Sequence, residues 1–533
     1  MVRPKFHARS HVHINVNTDQ FVGHRPSFPL SLLRKFSRIR HGTLRKSRTH
    51  NRAVVFTFAA LFVLYLYFFS PWSRDKGSGD REMDLMAKIY PQDGAGQVTA
   101  VLLNWMRLKN LKEIVQHLCK YEMFKTIMIW NNNQNVHLTR EMFAKHCPSK
   151  VEVYNSPGNM LFIARYMACS MASTPYCFFQ DDDWLVKNLR SMYANFLRSP
   201  HLVHTDTNER VYSATWRWCF FDDAVNLHTC FSWVGTGAFV SRENVVRFMR
   251  LASETQMDPT EFAYGDMYFT TYMNQPPYQL ENDLVELPQY KAFSAGDGWR
   301  RNEIYMHKGL TRLYDNLSRG TGVFQTQELS PTIYQRDVRS PCHNDRCLFL
   351  ASKHSFPDVR LFRYNPSLNI SESESLHERY HDSNDFFNSP YHFAVDGKDS
   401  TVWRTHENIA EGDYIGLDLL FPVPFPIIYR LLISQDKDYF SALVIETSQD
   451  GISWTIVGPP LPEVVCRELG PDAPARRSEK GWLWWKSTHI GKIFDCEFIL
   501  QEPGYRFMRL RSTRDFDFPY AVHEFSFRAP EHI

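Results

Sequence analysis

Residues 176–184 read YCFFQDDDW, a short aromatic run, one glutamine, then three adjacent carboxylates. An apolar stretch of this length bounded by polar residues reads as a buried strand. Asp181, Asp182 and Asp183 then stand just past its carboxyl end. Upstream, residues 98–103 (VTAVLL) make another such strand, followed by Leu108, Leu111, Val115 and Leu118 on one helical face. Residues 126–130 and 151–154 are two more strands, closing on Asn131 and Asn155, and residues 160–170 are helical. Strand–helix alternation of this kind predicts an α/β domain with a mostly parallel sheet. Ligands of such sheets bind outside the carboxyl ends of the strands. The polar residues expected there are Asn104, Arg107, Asn131, Asn155 and Asp181 to Asp183.

Three neighbouring carboxylates repel one another unless a cation neutralises them. Hard divalent ions, Mn²⁺ or Mg²⁺, take oxygen ligands and bridge to diphosphate oxygens. Bound there, such an ion stabilises a departing nucleoside diphosphate as a Lewis acid. The plainer reading of the triplet is a solvated acidic turn. The plainer reading of Asp266, downstream, is a carboxylate favoured by the dipole of a helix's first turn.

A chain of 533 residues is too long for one core, at roughly 150 residues per domain. The helical signal fades after about residue 320. β-type runs follow at 414–419, 427–434, 443–448, 454–457 and 505–511, separated by Pro, Gly and Asp-Gly turns, as an all-β sandwich requires. The expected division is an α/β domain over 94–320, a connector over 321–355 in which Cys342 and Cys347 close a small loop, and a sandwich over 356–533. Two separable cores are expected.

The net charge of +3 is unevenly placed. Residues 31–52 hold eight Lys and Arg and no acid, while the remainder is mildly acidic, so nothing argues for nucleic acid as a partner. Residues 53–72 (AVVFTFAALFVLYLYFFSPW) are uncharged and long enough to cross a hydrocarbon core of about 30 Å. The basic flank keeps residues 1–52, a disordered tail, in the cytosol. The stem at 73–93 and everything after it become lumenal. This predicts a single-pass type II signal anchor in the lipid bilayer of the Golgi or ER. All ten cysteines follow the span, as do the sequons at Asn316 and Asn369, which suits an oxidising lumen. No cysteine spacing suggests zinc.

Residues 98–316 resemble the exostosin-type glycosyltransferases, family 64, which have the nucleotide-sugar-binding GT-A fold. The matching pieces are VTAVLLNWMRLKNL, IMIWNN, the Asp-x-Asp pattern in FFQDDDW, Gly235-Thr-Gly-Ala, and Asp266 at a helix start. The resemblance implies transfer of a hexose or N-acetylhexosamine from a UDP-sugar to a glycan or glycoprotein acceptor, Mn²⁺-dependent and retaining. It implies that Arg107 and Asn131, with Asn104 and Asn155 beside them, hold the nucleotide. Asp181 and Asp182 would lie near ribose and metal, Asp183 would bind Mn²⁺, and Asp266 would face the reacting sugar. Arg300 or Arg301 would assist the diphosphate. Where the family commonly has Glu-Asp, this chain has Gly265-Asp266, and Arg165 is the counterpart of a family arginine after the third strand. The later pieces AVDGKDSTVW (394–403), GDYIGLDL, SQDGISW and YRFMRLRS are similar to the discoidin, or factor 5/8 type C, domain, a galactose-binding-like sandwich. Two other functions stay open: an inactive membrane-anchored glycan-binding protein, and an inverting transferase with Asp266 as base. A homo- or hetero-oligomer also stays open.

Overall fold

The computed structural model describes residues 97–143, 147–289, 297–320, 336–358, 360, 363–379, 383–435, 437–458, 462–470 and 492–530. The expected tail, membrane span and stem lie outside the described residues, among which no helix is long and apolar enough to cross a membrane.

The α/β part begins with β1 (Val98–Asn104), α1 (Leu108–Leu118), β2 (Phe124–Asn131), β3 (Val151–Asn155), α2 (Ile163–Met171) and β4 (Tyr176–Gln180). β1 pairs in parallel with β2 and β4, and β2 with β3. Val98, Ala100, Val101 and Leu102 are all sealed from solvent, as befits a parallel strand covered on both faces. α1 forms because Leu111, Ile114, Val115 and Leu118 make one buried stripe.

Then come β5 (Trp184–Leu185), α3 (Leu189–Phe196), β6 (His204–Thr207), α4 (Glu209–Arg217), β7 (Cys219–Asp222), β8 (Leu227–Cys230) and β9 (Ala238–Ser241). α5 (Arg242–Glu254), α6 (Pro259–Ala263), α7 (Asp266–Tyr272), β10 (Tyr278–Glu281), β11 (Val285–Glu286) and α8 (Asp297–Ser318) complete this part. The main sheet runs β10-β6-β9-β4-β1-β2-β3, with β9 antiparallel to both neighbours. The mostly parallel sheet expected from the sequence is present.

The second part is a β-sandwich. Its strands are β12 (Val338–Pro341), β13 (Leu348–Ala351), β14 (Trp403–Asn408), β15 (Tyr414–Asp418), β16 (Ile427–Ser434), β17 (Leu443–Ser448), β18 (Thr455–Ile456), β19 (Val465–Glu468), β20 (Ile493–Leu500), β21 (Phe507–Ser512) and β22 (Pro519–Arg528). They form a six-stranded sheet, β12-β13-β15-β21-β17-β18, and a five-stranded one, β14-β22-β16-β20-β19. Trp403 and Tyr520 stack in the core between them, both fully buried. The expected connector over 321–355 contains β12 and β13, so the sandwich starts at Val338 rather than at 356. Four-residue strands around a Pro and a polar turn give too little periodicity to register.

Each part has an apolar cluster of its own, and a third cluster joins the two. Leu348, Leu350, Leu420 and Phe507 of the sandwich belong to one apolar cluster with Leu111, Ile127, Phe178, Phe196 and Phe239 of the α/β part. Polar contacts bind the same junction. Asp345, in the turn after β12, accepts hydrogen bonds from the backbone N–H groups of Arg190 (3.0 Å) and Ser191 (2.8 Å), and so caps α3. Arg339 donates to Asn195 Oδ1 at 2.8 Å, and His392 Nδ1 lies 2.6 Å from Glu281 Oε1.

All ten cysteines pair: Cys119–Cys147, Cys169–Cys177, Cys219–Cys230, Cys342–Cys347 and Cys466–Cys496. Each bridge closes a loop of 30 residues or fewer and lowers the entropy of the unfolded chain. The full pairing agrees with an oxidising compartment.

Candidate active site

Register builds the site. Asn104 faces Asn131 across β1–β2, and Asn131 faces Asn155 across β2–β3, so one row of asparagines ends three adjacent strands. β4, on the other side of β1, ends at Gln180 and runs on into the Asp triplet. All the residues expected at this sheet edge are therefore together.

Their side chains bind one another and the loop after β2. The Asn104 amide donates to Asn131 Oδ1 at 2.7 Å, and the Asn131 amide donates to Asn155 Oδ1 (2.8 Å) and to the Val136 carbonyl (2.6 Å). Asn155 in turn donates to the Leu138 carbonyl at 2.8 Å and accepts from the Leu138 N–H at 2.9 Å. The row thus pins the loop after β2. Asn131 and Asn155 thereby tie the ends of β2 and β3 to that loop.

The triplet meets two guanidinium groups. Arg107 donates to Asp182 Oδ1 at 2.6 Å and lies 3.5 Å from Asp183 Oδ2. Arg165, fully buried in α2, donates to Asp181 Oδ1 at 2.7 Å, and its Nε lies 3.2 Å from Asp266 Oδ1. Tyr166, the next residue, donates its hydroxyl to Asp266 Oδ1 at 2.8 Å. One arginine therefore joins the Asp-x-Asp pattern to the Asp at the start of α7. Burial opposes the charge on Arg165, and the Asp181 and Asp266 carboxylates outweigh it. Burial pushes the Asp183 carboxyl upward, and Asp181 beside it adds to that push more than Arg107 relieves it. Burial likewise raises Asp266 to about 6, against the pull of Arg165.

Sequence reasoning placed Arg165 only by resemblance and missed Tyr166. The signal was there: an arginine inside the apolar helix IARYMACSM must find a buried counter-charge. The structure also explains Gly265. A Cβ on it would stand 3.0 Å from the Tyr166 ring, so a larger residue there would have to push that ring aside. Gly235 is a second such place: its carbonyl accepts the Asp181 N–H at 2.7 Å, and a Cβ would come within 2.0 Å of Asp181 Oδ2.

Arg300 and Arg301 are exposed in the first turns of α8, and among the described residues the guanidinium groups reaching the carboxylates are Arg107 and Arg165. His307 lies on α8, half-buried. Trp218, Phe220 and Phe221 are core residues, and Trp216 stacks on Phe356 and donates to the Pro357 carbonyl.

Among the described residues no three His, Cys, Asp or Glu side chains form a ready metal cage. The residues present do fit a hard cation shared with a diphosphate. Asp182 Oδ2 is buried without a hydrogen-bond partner, and so is Arg165 Nη1, one an oxygen for a cation and the other a donor for a phosphate.

No family model matches the chain, and no curated protein matches it. Among solved structures it is similar to a mannosyltransferase from Pyrobaculum calidifontis in complex with GDP-Man and Mn²⁺, at 12% identity over 53% of this chain and 77% of that one, TM-score 0.28. It is similar to residues 1–349 of S. aureus TarS at 12% identity over 42% and 74%, TM-score 0.27. The chain is also similar to chitosan-binding module 2 of a chitosanase/glucanase from Paenibacillus sp. IK-5, at 21% identity over 26% of this chain and 86% of that one, TM-score 0.16. At these identities and TM-scores the likenesses assign no role, and the reading that follows stands on the chain's own side chains.

Proposed function

We propose that the chain is a glycosyltransferase that moves a sugar from a nucleoside-diphosphate donor, a UDP-sugar, to a glycan or glycoprotein acceptor. The observation that carries this is the Arg165 bridge, which draws Asp181 and Asp266 together at the carboxyl edge of the sheet. A mere acidic turn would leave its carboxylates in solvent, not ion-paired to buried arginines.

Asp183 and Asp181 would hold a divalent cation, Mn²⁺ or Mg²⁺, which when bound neutralises charge building on the leaving diphosphate. The chain's own groups do the rest. Arg107 orients Asp182 and Asp183. Arg165 fixes Asp181 and offers Nη1 to a phosphate oxygen, and Tyr166 with Arg165 holds Asp266 facing the reacting sugar. Asp266 accepts one hydrogen bond, from Tyr166, and is ion-paired to Arg165 through the same oxygen, which suits charge stabilisation beside the sugar and a retaining outcome. If Asp266 is instead a general base, the product inverts. The anomeric configuration of the product, read by NMR, decides between them. Exposed Asn369 and the full set of disulfides support a lumenal, type II placement in the Golgi or ER membrane.

The central test pairs two variants of the full chain. Asp183→Ala should abolish transfer and Mn²⁺-dependent UDP binding while leaving thermal melting nearly unchanged, because removing one of three crowded carboxylates relieves repulsion. Asp266→Asn should lower turnover strongly yet keep Mn²⁺–UDP binding. Near-normal transfer by Asp183→Ala, or transfer in excess chelator, would sink the reading.

A further inference from the structure

At the end of α1 remote from Arg107, eleven residues or about 16 Å along the axis, Lys120 and Tyr121 form one wall of a cavity of about 350 Å³. Lys187, Asn188 and Arg190, leading into α3, make a second wall. His343, Asn344 and Asp345, from the turn between β12 and β13, make the third.

Four of these eight residues are bases, and the one carboxylate among them is engaged elsewhere. Asp345 accepts backbone hydrogen bonds from Arg190 and Ser191 through its two oxygens. The neutral groups mostly bind wall to wall: Tyr121 donates to the Lys187 carbonyl at 2.7 Å, and Asn188 donates to the Cys342 carbonyl at 2.8 Å. Asp283 lies 3.8 Å from Lys187, and both are about half exposed, so it screens that lysine weakly. The lining is therefore positive. It is also rigid. The Cys119–Cys147 bridge anchors the residue before Lys120, and Cys342–Cys347 closes the turn that carries His343. The His343 ring lies against Gly397, where a Cβ would come within 2.9 Å of it, and His343 Nδ1 is 3.3 Å from the Val395 carbonyl. Pre-set walls lower the ordering cost of binding.

We propose that this cavity binds an oxyanion group (phosphate, sulfate or carboxylate) at a site separate from the nucleotide-sugar edge. Its volume exceeds what a lone oxyanion needs and falls at the low end of small-molecule pockets, so the group is carried on a body the size of a sugar ring. The proposal does not depend on the transferase reading. Charge-assisted hydrogen bonds from Lys120 and Lys187 supply the attraction, and Arg190, whose guanidinium donates to the Asp345 carbonyl at 3.3 Å, adds positive charge beside them.

The test is calorimetric titration of the full chain with glucose 6-sulfate, inorganic sulfate and glucose. Glucose 6-sulfate should bind saturably, and more weakly as salt rises. Lys120→Gln combined with Lys187→Gln, both exposed positions, should weaken it at least tenfold while melting temperature and Mn²⁺–UDP binding stay unchanged. Inorganic sulfate binding as tightly as the sugar sulfate upholds the oxyanion site and assigns it to the free anion. Sugar sulfate binding alone assigns it to an acidic saccharide. Glucose binding as well as its sulfate, a double variant that binds like the parent, or no saturable binding of either anion overturns the proposal.

Discussion

Gly235 shows how one residue without a side chain can set the chemistry. Its carbonyl holds the Asp181 backbone, and the space a methyl group would take is filled by the Asp181 carboxylate. That carboxylate is the far end of a side chain about one-third exposed, so it can swing aside at little cost to the fold. Gly235→Ala should therefore lower transfer at least tenfold, with a melting shift of only a few degrees, about what 1 kcal/mol produces. Parallel measurements of kcat/KM and thermal melting check this. An unchanged kcat/KM would mean that Asp181 has no fixed place in the site. Arg165 carries the opposite balance. Replacing it with Met would strand Asp181 and Asp266 beside each other, and losing one partner of a buried pair costs about 3–5 kcal/mol. A variant at Arg165 should thus fail by unfolding, seen as a sharply lower denaturation midpoint. The triplet was plain in the sequence because its residues are adjacent. The Arg165–Asp266 partnership was not, because the two lie 101 positions apart and only the fold brings them together.

Strand ends supply the next level of order. Asn104, Asn131 and Asn155 were legible as polar residues closing three apolar runs, and the register confirms that they share a row. What the sequence could not tell is which way their amides point. Asn131 uses its amide on the Asn155 side chain and on the loop after β2, and its oxygen on Asn104. Asn131→Ala should therefore act mainly on stability. Two or three lost buried hydrogen bonds, at about 0.5–1.5 kcal/mol each, predict a loss of roughly 2–3 kcal/mol in urea denaturation. Donor affinity should fall as a consequence of the freed loop, and Asn131→Asp should do no better than Asn131→Ala, because it sets a buried carboxylate oxygen against Asn155 Oδ1 and the Val136 carbonyl. β12 and β13 were missed for a related reason. Their four-residue lengths make sense only beside β15, which lies more than 60 positions further on.

Across the whole molecule, the α/β part and the sandwich share a core that neither owns. Freed from its partner, a fragment spanning 336–533 would expose Leu348, Leu350, Leu420 and Phe507 and leave Arg339 without Asn195. A contiguous apolar patch of that kind drives association. The fragment should aggregate or melt without cooperativity in an oxidising host, judged by calorimetry; a sharp independent transition would show that the shared cluster is dispensable. The same junction predicts a pH dependence. Burial opposes charge on His392, but the Glu281 carboxylate outweighs it and lifts His392 above its usual 6.5. Stability from that pair is complete below pH 6.5 and disappears as pH climbs through the raised value. Asp206, buried in β6 with one unpartnered oxygen, is pushed up to about 8 by burial. Its contribution is complete below 3.8 and disappears as pH rises through about 8. Both groups thus favour the fold at mildly acidic pH, and both contributions are being lost as pH rises above 6.5. The melting temperature of the full chain should fall from pH 6 to pH 8. Asp206→Asn should flatten that slope, because it removes the proton that folding must take up while preserving a neutral side chain of the same shape. His392→Gln should flatten it too, but from a lower starting stability, since Glu281 would remain buried without its partner. A melting temperature that rises over this range, or a slope untouched by both variants, would show that the junction does not set the pH response.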